Sequence, residues 1–266
     1  MRRIMSRWLS AMGLAITLGS AFGQHGSPVH GLRCEYLTDP SGIDVEKPRL
    51  TWMLTPGSIG QNQSGYQILV AGTPANLDKD NGDLWDSGRV NSDQSTWLVY
   101  AGKPLTSGLR AYWKVRIWDE ANRQSPWSGQ ATWSMGVLKP SDWYGKWIGE
   151  ERPAGTQAGT PLPFPWLRKV FTLDRKPADA VAYVNPLGYH ELYINGRKVG
   201  DEVLSPAVSD YSKRNVYVTH EVADYLHELD EHTGKFLQYV PRFRQADFLG
   251  EIAARGLDDR RHDGVH

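Results

Sequence analysis

The chain has little cysteine, no net charge and few long apolar runs. Cys34 is the single cysteine in 266 residues, so no disulfide can form within the chain. We expect Cys34 to be a small core residue. Lysine plus arginine number 30, as do aspartate plus glutamate, and this balance gives no electrostatic reason to expect a nucleic acid partner.

The one extended apolar run lies at the N-terminus, at residues 8–22. Three arginines among the first seven residues precede it, and small residues end it at Gly23. This order predicts a secretory signal peptide over residues 1–23, with an ordinary buried helix as the alternative. Since no later stretch approaches ~18 apolar residues, the mature chain is expected to be secreted or periplasmic, with no membrane contact after cleavage.

Residues 31–138 contain short alternating runs separated by Gly- and Pro-containing turns. In one run Trp113, Val115 and Ile117 fall on the same face, which is the two-residue period of a strand. No helical period of any length appears. The pattern predicts an antiparallel β-sandwich, and residues 105–128 resemble the late strands of a fibronectin type III domain.

Residues 142–226 also show strand patterns, among them a regular hairpin. Its turn is Asn195-Gly196, and these are the residues that best tolerate the positive φ angles of a two-residue hairpin turn. Leu192 and Ile194 would share the apolar face, with Glu191 on the solvent face. The whole chain is therefore predicted to be all-β, with two successive sandwiches.

Several stretches together resemble the N-terminal region of bacterial α-L-rhamnosidases, over roughly residues 31–226. Each is short, and their order and spacing carry the resemblance. They read RLTW, GYQILV, LWDSG, YWKVRIWD, DWYGKWIG, LRKVFTL, LGYHELYINGRKVGD and DYSKR.

The resemblance implies a multi-domain secreted glycosidase that removes terminal L-rhamnose by inverting hydrolysis. In that family the reaction belongs to an (α/α)₆ barrel further along the chain. This chain would then be an inactive accessory part, whose partner is the missing catalytic domain. Trp143 and Trp147 are expected to pack where its two domains meet. A standalone secreted spacer or interaction module is the alternative.

The resemblance also implies a weak site for rhamnose-containing glycans in the second domain. By position, the resemblance places Asn185, Tyr189 and Asp210 in this site. It indicates Asp201 and Arg214 less strongly. The resemblance implies one cofactor, a calcium ion bound near Asn185. Ala207-Val208 stands where the family often has Gly-Trp, so one stacking ring is missing, and a purely structural sandwich is the alternative.

No residue can be assigned a catalytic role. His220-Glu221 begins a stretch that approaches a zinc protease motif, but Asp224 takes the place of the second histidine. The stretch also reads as a strand, whereas that motif needs a helix. No zinc site is therefore predicted.

Residues 227–266 break the pattern. Alternation ceases and charged clusters appear, which predicts an irregular or disordered tail from a shifted reading frame or a truncated gene, with a lineage-specific tail as the alternative. Phe248, Leu249 and Ile252 could share a face of a short helix over residues 244–255. The second sandwich would then be an incomplete jelly roll with open sheet edges and low stability by itself.

Overall fold

A computed structural model of the chain describes residues 27–55, 63–149, 153–157, 166–171, 173 and 175–226. It also describes the backbone of two later strands, Phe236–Arg242 and Phe248–Ala254. The predicted signal peptide over residues 1–23 lies outside these residues. Within the described ranges, no helix has the length and apolar character needed to cross a bilayer.

The first domain is a sandwich of two antiparallel sheets. A three-stranded sheet has the order β1-β2-β5, and a four-stranded sheet has the order β4-β3-β6-β7. The elements are β1 Val29–Cys34, β2 Arg49–Leu54, β3 Gln63–Ala71, α1 Pro74–Asp78, β4 Trp85–Asp86, β5 Leu98–Val99, β6 Arg110–Asp119 and β7 Ala131–Ser134.

The core of this domain lies between the two sheets and is rich in tryptophan. Trp52, Trp113 and Trp133 are among its fully buried side chains. They are inward because alternate residues of a strand point to the same face. Cys34 is buried in the same core, as predicted, and burial raises the pKa of its thiol.

The second domain also consists of two antiparallel four-stranded sheets, with the orders β13-β10-β15-β8 and β12-β11-β14-β9. A short 3₁₀ helix, Pro140–Asp142, joins the domains, and another, Ala223–Tyr225, follows β13. The strands are β8 Trp147–Ile148, β9 Leu167–Val170, β10 Ala180–Pro186, β11 Tyr189–Ile194, β12 Arg197–Lys198, β13 Val218–Glu221, β14 Phe236–Arg242 and β15 Phe248–Ala254. The prediction of an all-β chain with two antiparallel sandwiches is confirmed.

The predicted hairpin is present, with Asn195 and Gly196 at φ 51° and 75° between β11 and β12. Leu192 and Ile194 are buried, as expected. Glu191 differs from the prediction of a solvated residue, because its side chain is only 15% exposed and accepts a hydrogen bond from the Tyr193 hydroxyl at 3.0 Å.

The prediction of an irregular tail is wrong for residues 236–242 and 248–254. Strand β14 pairs with β11 and β9, and β15 pairs with β10 and β8. The helix expected over residues 244–255 is therefore replaced by a strand over Phe248–Ala254. The physical reason is that the second edges of β10 and β11 carry backbone N–H and C=O groups that need partners. The rest of the tail lies outside the described residues.

Candidate functional site

The site predicted around Asn185 lies at the end of β10. Asn185 is half-buried, and its Oδ1 atom is buried with no hydrogen-bond partner among the described residues. Asn215 Oδ1 has the same property. Asn215 lies three residues before β13, the strand that pairs with β10 up to Val184↔Val218. Buried side-chain oxygens without a partner are uncommon in folded proteins, so both amides are candidates for binding a ligand.

Asn215 was not found from the sequence. No motif in the sequence marks it, and only the burial of its Oδ1 atom in the folded domain reveals it.

Asp210 and Arg214 lie in a single exposed turn just before Asn215. The Arg214 backbone N–H donates to the Asp210 carbonyl at 3.0 Å, and the Ser212 backbone N–H donates to the Asp210 carboxylate at 3.1 Å. Hydrogen bonds from Ser212, together with Lys213 at 3.1 Å, lower the pKa of the Asp210 carboxyl. Part of the capacity of this carboxylate to accept hydrogen bonds is thus used within its own turn.

The structure separates the remaining predicted residues. Tyr189 is half-buried at the start of β11, one short turn after Asn185. Asp201 is exposed beyond β12, after Gly200 at φ 74°. Asn185 and Tyr189 lie on either side of the short connection between β10 and β11. The turn holding Asp210 and Arg214 comes shortly before β13, and Asp201 follows the hairpin.

Whether the predicted site residues can bind calcium depends on the oxygen atoms that they offer as ligands. Across the described ranges there is no group of three or more His, Cys, Asp or Glu side chains placed to hold a metal ion. Calcium also accepts amide and backbone carbonyl oxygens and water, and the unpartnered oxygens of Asn185 and Asn215 are ligands of that kind. The chemistry of the two amides therefore fits the ion.

His190 and His220 form a buried pair between the two sheets of the second domain. Their Nε2 atoms are 3.1 Å apart, and His190 Nδ1 is 3.1 Å from the Ser205 carbonyl oxygen. That oxygen can only accept, so Nδ1 of His190 carries the proton and its Nε2 accepts from His220. Burial, reinforced by the neighbouring ring of His220, lowers the pKa of His190 to about 4, and burial lowers that of His220. As predicted, His220 lies on a strand.

An ion-pair cluster joins the two domains. Arg110 of β6 reaches Glu221 Oε1 at 2.5 Å and Asp179 Oδ1 at 3.2 Å. Ser41, from the first domain, donates its hydroxyl to the same Glu221 carboxylate. The Arg110 side chain is only 19% exposed, so the contact is partly shielded from water and salt.

A cluster of aromatic rings forms the other side of this joint. The backbone N–H of Val137 donates to the Tyr217 hydroxyl at 2.9 Å, and the Tyr183 hydroxyl donates to the Met135 carbonyl at 3.2 Å. Trp143 packs edge-to-face on both tyrosines, with ring centroids 5.2 and 6.4 Å away. The expected place of Trp143 is confirmed.

Trp147 lies elsewhere. It belongs to β8, opposite Leu249 of β15, and its side chain is 43% exposed. The expectation that it packs at the joint is therefore wrong.

A cleft of about 790 Å³ opens beside the joint. Its acidic lining residues are Glu46 and Asp142, and its basic ones are three lysines. Asp142 is engaged by the Ser107 and Ser141 hydroxyls, so its carboxylate acts as a structural acceptor at the linker.

Comparison with known families accounts for both domains. The family model described as the Rha78A-like, N-terminal immunoglobulin domain matches residues 29–139. The model described as the Alpha-L-rhamnosidase N-terminal domain matches residues 175–236. The two domains of the chain are therefore domains of the N-terminal region of α-L-rhamnosidases.

Curated relatives support the same assignment. An α-L-rhamnosidase of Formosa agariphila is 35% identical over 217 residues, which cover 75% of this chain and 23% of that protein. One of Alteromonas sp. (strain LOR) is 33% identical over 211 residues, covering 76% of this chain and 22% of that protein. The chain thus spans less than a quarter of the length of either α-L-rhamnosidase.

Solved α-L-rhamnosidase structures share the fold. The enzyme from Dictyoglumus thermophilum matches with a TM-score of 0.75 and 29% identity, over 86% of this chain and 28% of that one. The enzyme from Aspergillus terreus matches with a TM-score of 0.66 and 26% identity, over 84% of this chain and 23% of that one.

Proposed function

We propose that this chain is the accessory, non-catalytic N-terminal part of a secreted α-L-rhamnosidase. The parent activity would be inverting hydrolysis of terminal α-L-rhamnose from plant glycosides or polysaccharides. The single observation that carries the proposal is that two rhamnosidase N-terminal domains match in order, while the chain spans 23% of a matched relative.

The joint between the domains supports an accessory role. The ion pairs of Arg110 and the aromatic contacts of Trp143 lie on two sides of the linker. Together they favour one relative orientation of the domains, as a unit that positions a neighbouring catalyst requires. In this proposal the partner of the unit is the catalytic domain.

Absence of catalysis can be tested with an aryl α-L-rhamnoside. Inverting hydrolysis needs two carboxylates about 6.5–9.5 Å apart on either side of the scissile bond, and in this chain we assign no such pair. We expect no release of p-nitrophenol from p-nitrophenyl α-L-rhamnoside by the purified chain. Steady turnover that persists through repeated purification would overturn the non-catalytic role.

The second domain is proposed to bind rhamnose weakly at the end of β10. The support is that the buried amide oxygens of Asn185 and Asn215 have no hydrogen-bond partner among the described residues. Tyr189 follows Asn185 after one short turn, and the Asp210 turn precedes Asn215. Calcium would be held by these amide oxygens, with backbone oxygens and water completing its shell. The ion would fix the two amides and offer positive charge to sugar hydroxyls.

Calorimetric titration of L-rhamnose, with calcium and with a chelator, tests this site. We expect a binding heat with calcium that is lost in Asn185→Ala and kept in Asn91→Ala, a control at an exposed asparagine of the first domain. No heat in either condition would instead support the alternative, a secreted spacer or protein-interaction module without sugar affinity.

A further inference from the structure

The outer face of the sheet β1-β2-β5 carries exposed aromatic side chains. Along β2, Leu50 and Trp52 point into the core while Arg49 lies on the opposite face. Trp97, just before β5, and Tyr36, just after β1, lie beside Arg49 with 53% and 47% of their side chains exposed. These rings contribute little to the core of the domain.

The backbone adopts an unfavourable conformation to present them. Glu35 and Tyr36 form a two-residue turn with φ angles of 48° and 65°, closed by two hydrogen bonds of 3.0 Å between Cys34 and Leu37. Trp97 has φ 59°. Positive φ costs free energy for residues with bulky side chains, and such outliers are common at functional sites.

Comparison with the β11–β12 hairpin shows how unusual the Glu35-Tyr36 turn is. At the equivalent positions it has Asn195 and Gly196, with φ 51° and 75°, which is the sequence that this turn type favours. At Glu35-Tyr36 the same geometry is imposed on a glutamate and a tyrosine. This backbone places the Glu35 carboxylate and the Tyr36 ring against Arg49.

These side chains hold one another in a fixed corner. The Glu35 carboxylate accepts hydrogen bonds from Arg49 Nη2 at 2.5 Å and from Arg49 Nε at 3.2 Å. The Arg49 guanidinium lies 4.6 Å from the Trp97 ring centroid and 5.7 Å from that of Tyr36. The two rings are 5.1 Å apart at 82°. Such preorganisation lowers the entropy cost of binding a ligand.

We infer that this corner, formed by Glu35, Tyr36, Arg49 and Trp97, binds a neutral rhamnose-containing oligosaccharide. Two perpendicular rings offer apolar faces to a sugar ring and its methyl group. The Arg49 guanidinium, on a side chain that is 37% exposed, offers N–H donors to hydroxyls, and Glu35 holds it in place. Because Glu35 already neutralises Arg49, an anionic ligand gains little there. The choice of rhamnose rests on the proposed function.

The surface around the corner favours a chain over a single sugar. Leu37, Met53 and Val99 are exposed next to these residues, by 57%, 46% and 52%. They extend the apolar surface along the sheet, so neighbouring sugar residues can lie against it. An oligosaccharide is expected to bind more tightly than L-rhamnose itself.

Affinity electrophoresis and calorimetry with a neutral α-L-rhamnan oligosaccharide test the inference. We expect at least tenfold weaker binding in Tyr36→Gly and in Trp97→Gly, and unchanged binding in Trp166→Gly, which removes an exposed tryptophan of the second domain. Thermal unfolding of Tyr36→Gly and Trp97→Gly is expected at the same or a higher temperature, since glycine relieves the positive φ.

Three results would overturn it: no binding by the unaltered chain, full binding by both glycine variants, or tighter binding of an oligogalacturonide. A fall in unfolding temperature would also count against it, because the rings would then serve stability. The proposed site at the end of β10 is tested by a separate experiment, the calorimetric titration of L-rhamnose into the unaltered chain and Asn185→Ala. Either site can thus fail without the other.

Discussion

At the scale of single residues, the His190–His220 pair links the stability of the second domain to pH. The folded state keeps His190 neutral, with a pKa near 4, against about 6.5 for an exposed histidine. Between these values the unfolded chain binds a proton that the folded chain does not. Stability is therefore full above about pH 6.5 and falls as the pH drops towards 4.

This predicts a measurable pH profile. The free energy of unfolding, from urea titrations at several pH values, should decline steadily from pH 6.5 to 4. His190→Phe should make that decline shallower, because only one buried imidazole, that of His220, then needs to stay neutral. His30→Phe, at an exposed position, should keep the original slope. Equal slopes in all three proteins would rule out the buried pair as the cause.

At the scale of single elements, the turn at Asn195-Gly196 isolates the cost of backbone strain. Gly196 has φ 75°, and a Cβ built on it meets nothing within 4 Å. Gly196→Ala should therefore destabilise the second domain by about 1 kcal/mol through backbone conformation alone. A Cβ built on Gly129 also meets nothing within 4 Å, and Gly129 has no positive φ. Gly129→Ala should therefore leave the free energy of unfolding unchanged or raise it slightly. Thermal unfolding of the two variants measures the difference.

The two strands after residue 226 provide a second prediction at this scale. Both β14 and β15 lie inside their sheets, with a neighbour on each side. A chain ending at Leu226 should lose cooperative unfolding of the second domain, because β10 and β11 would each keep an unpaired edge. The first domain, with its own core, should unfold as before.

Near-ultraviolet circular dichroism and tryptophan fluorescence during heating follow the two domains. Retention of both transitions in the shortened chain would show that β14 and β15 are dispensable to the second domain. Loss of both would show instead that the first domain depends on the second.

At the scale of the whole molecule, the joint depends on one partly buried arginine. Arg110→Met removes the partner of Glu221 and Asp179, whose side chains are 43% and 25% exposed. Since both acids keep some contact with water, we expect a loss of about 1–2 kcal/mol, below the cost of breaking a fully buried pair. The second domain should then unfold about 4–16 °C lower.

Arg123→Met is the matched control. Its pair with Asp119 lies within one domain, and its side chain is 73% exposed, so the expected change is below about 0.5 kcal/mol. Calorimetric scans compare the two variants. Equal effects would mean that the Arg110 cluster does not hold the domains together.

The sequence by itself determined the β character of residues 31–226 and the resemblance to a family. Alternation at Trp113, Val115 and Ile117, and the turn at Asn195-Gly196, follow from the two-residue period of a strand and from the φ preference of glycine. Both are local effects, so the sequence is sufficient to predict them.

The tertiary structure alone decided which distant residues meet. His190 meets His220 between two sheets, Arg110 meets Glu221 across two domains, and Phe248–Ala254 becomes a strand because a neighbouring edge needs hydrogen-bond partners. The corner at Trp97 likewise depends on a glutamate and an arginine that are far apart along the chain. Such contacts depend on long-range packing, which overrides local preference and leaves no periodic signal in the sequence.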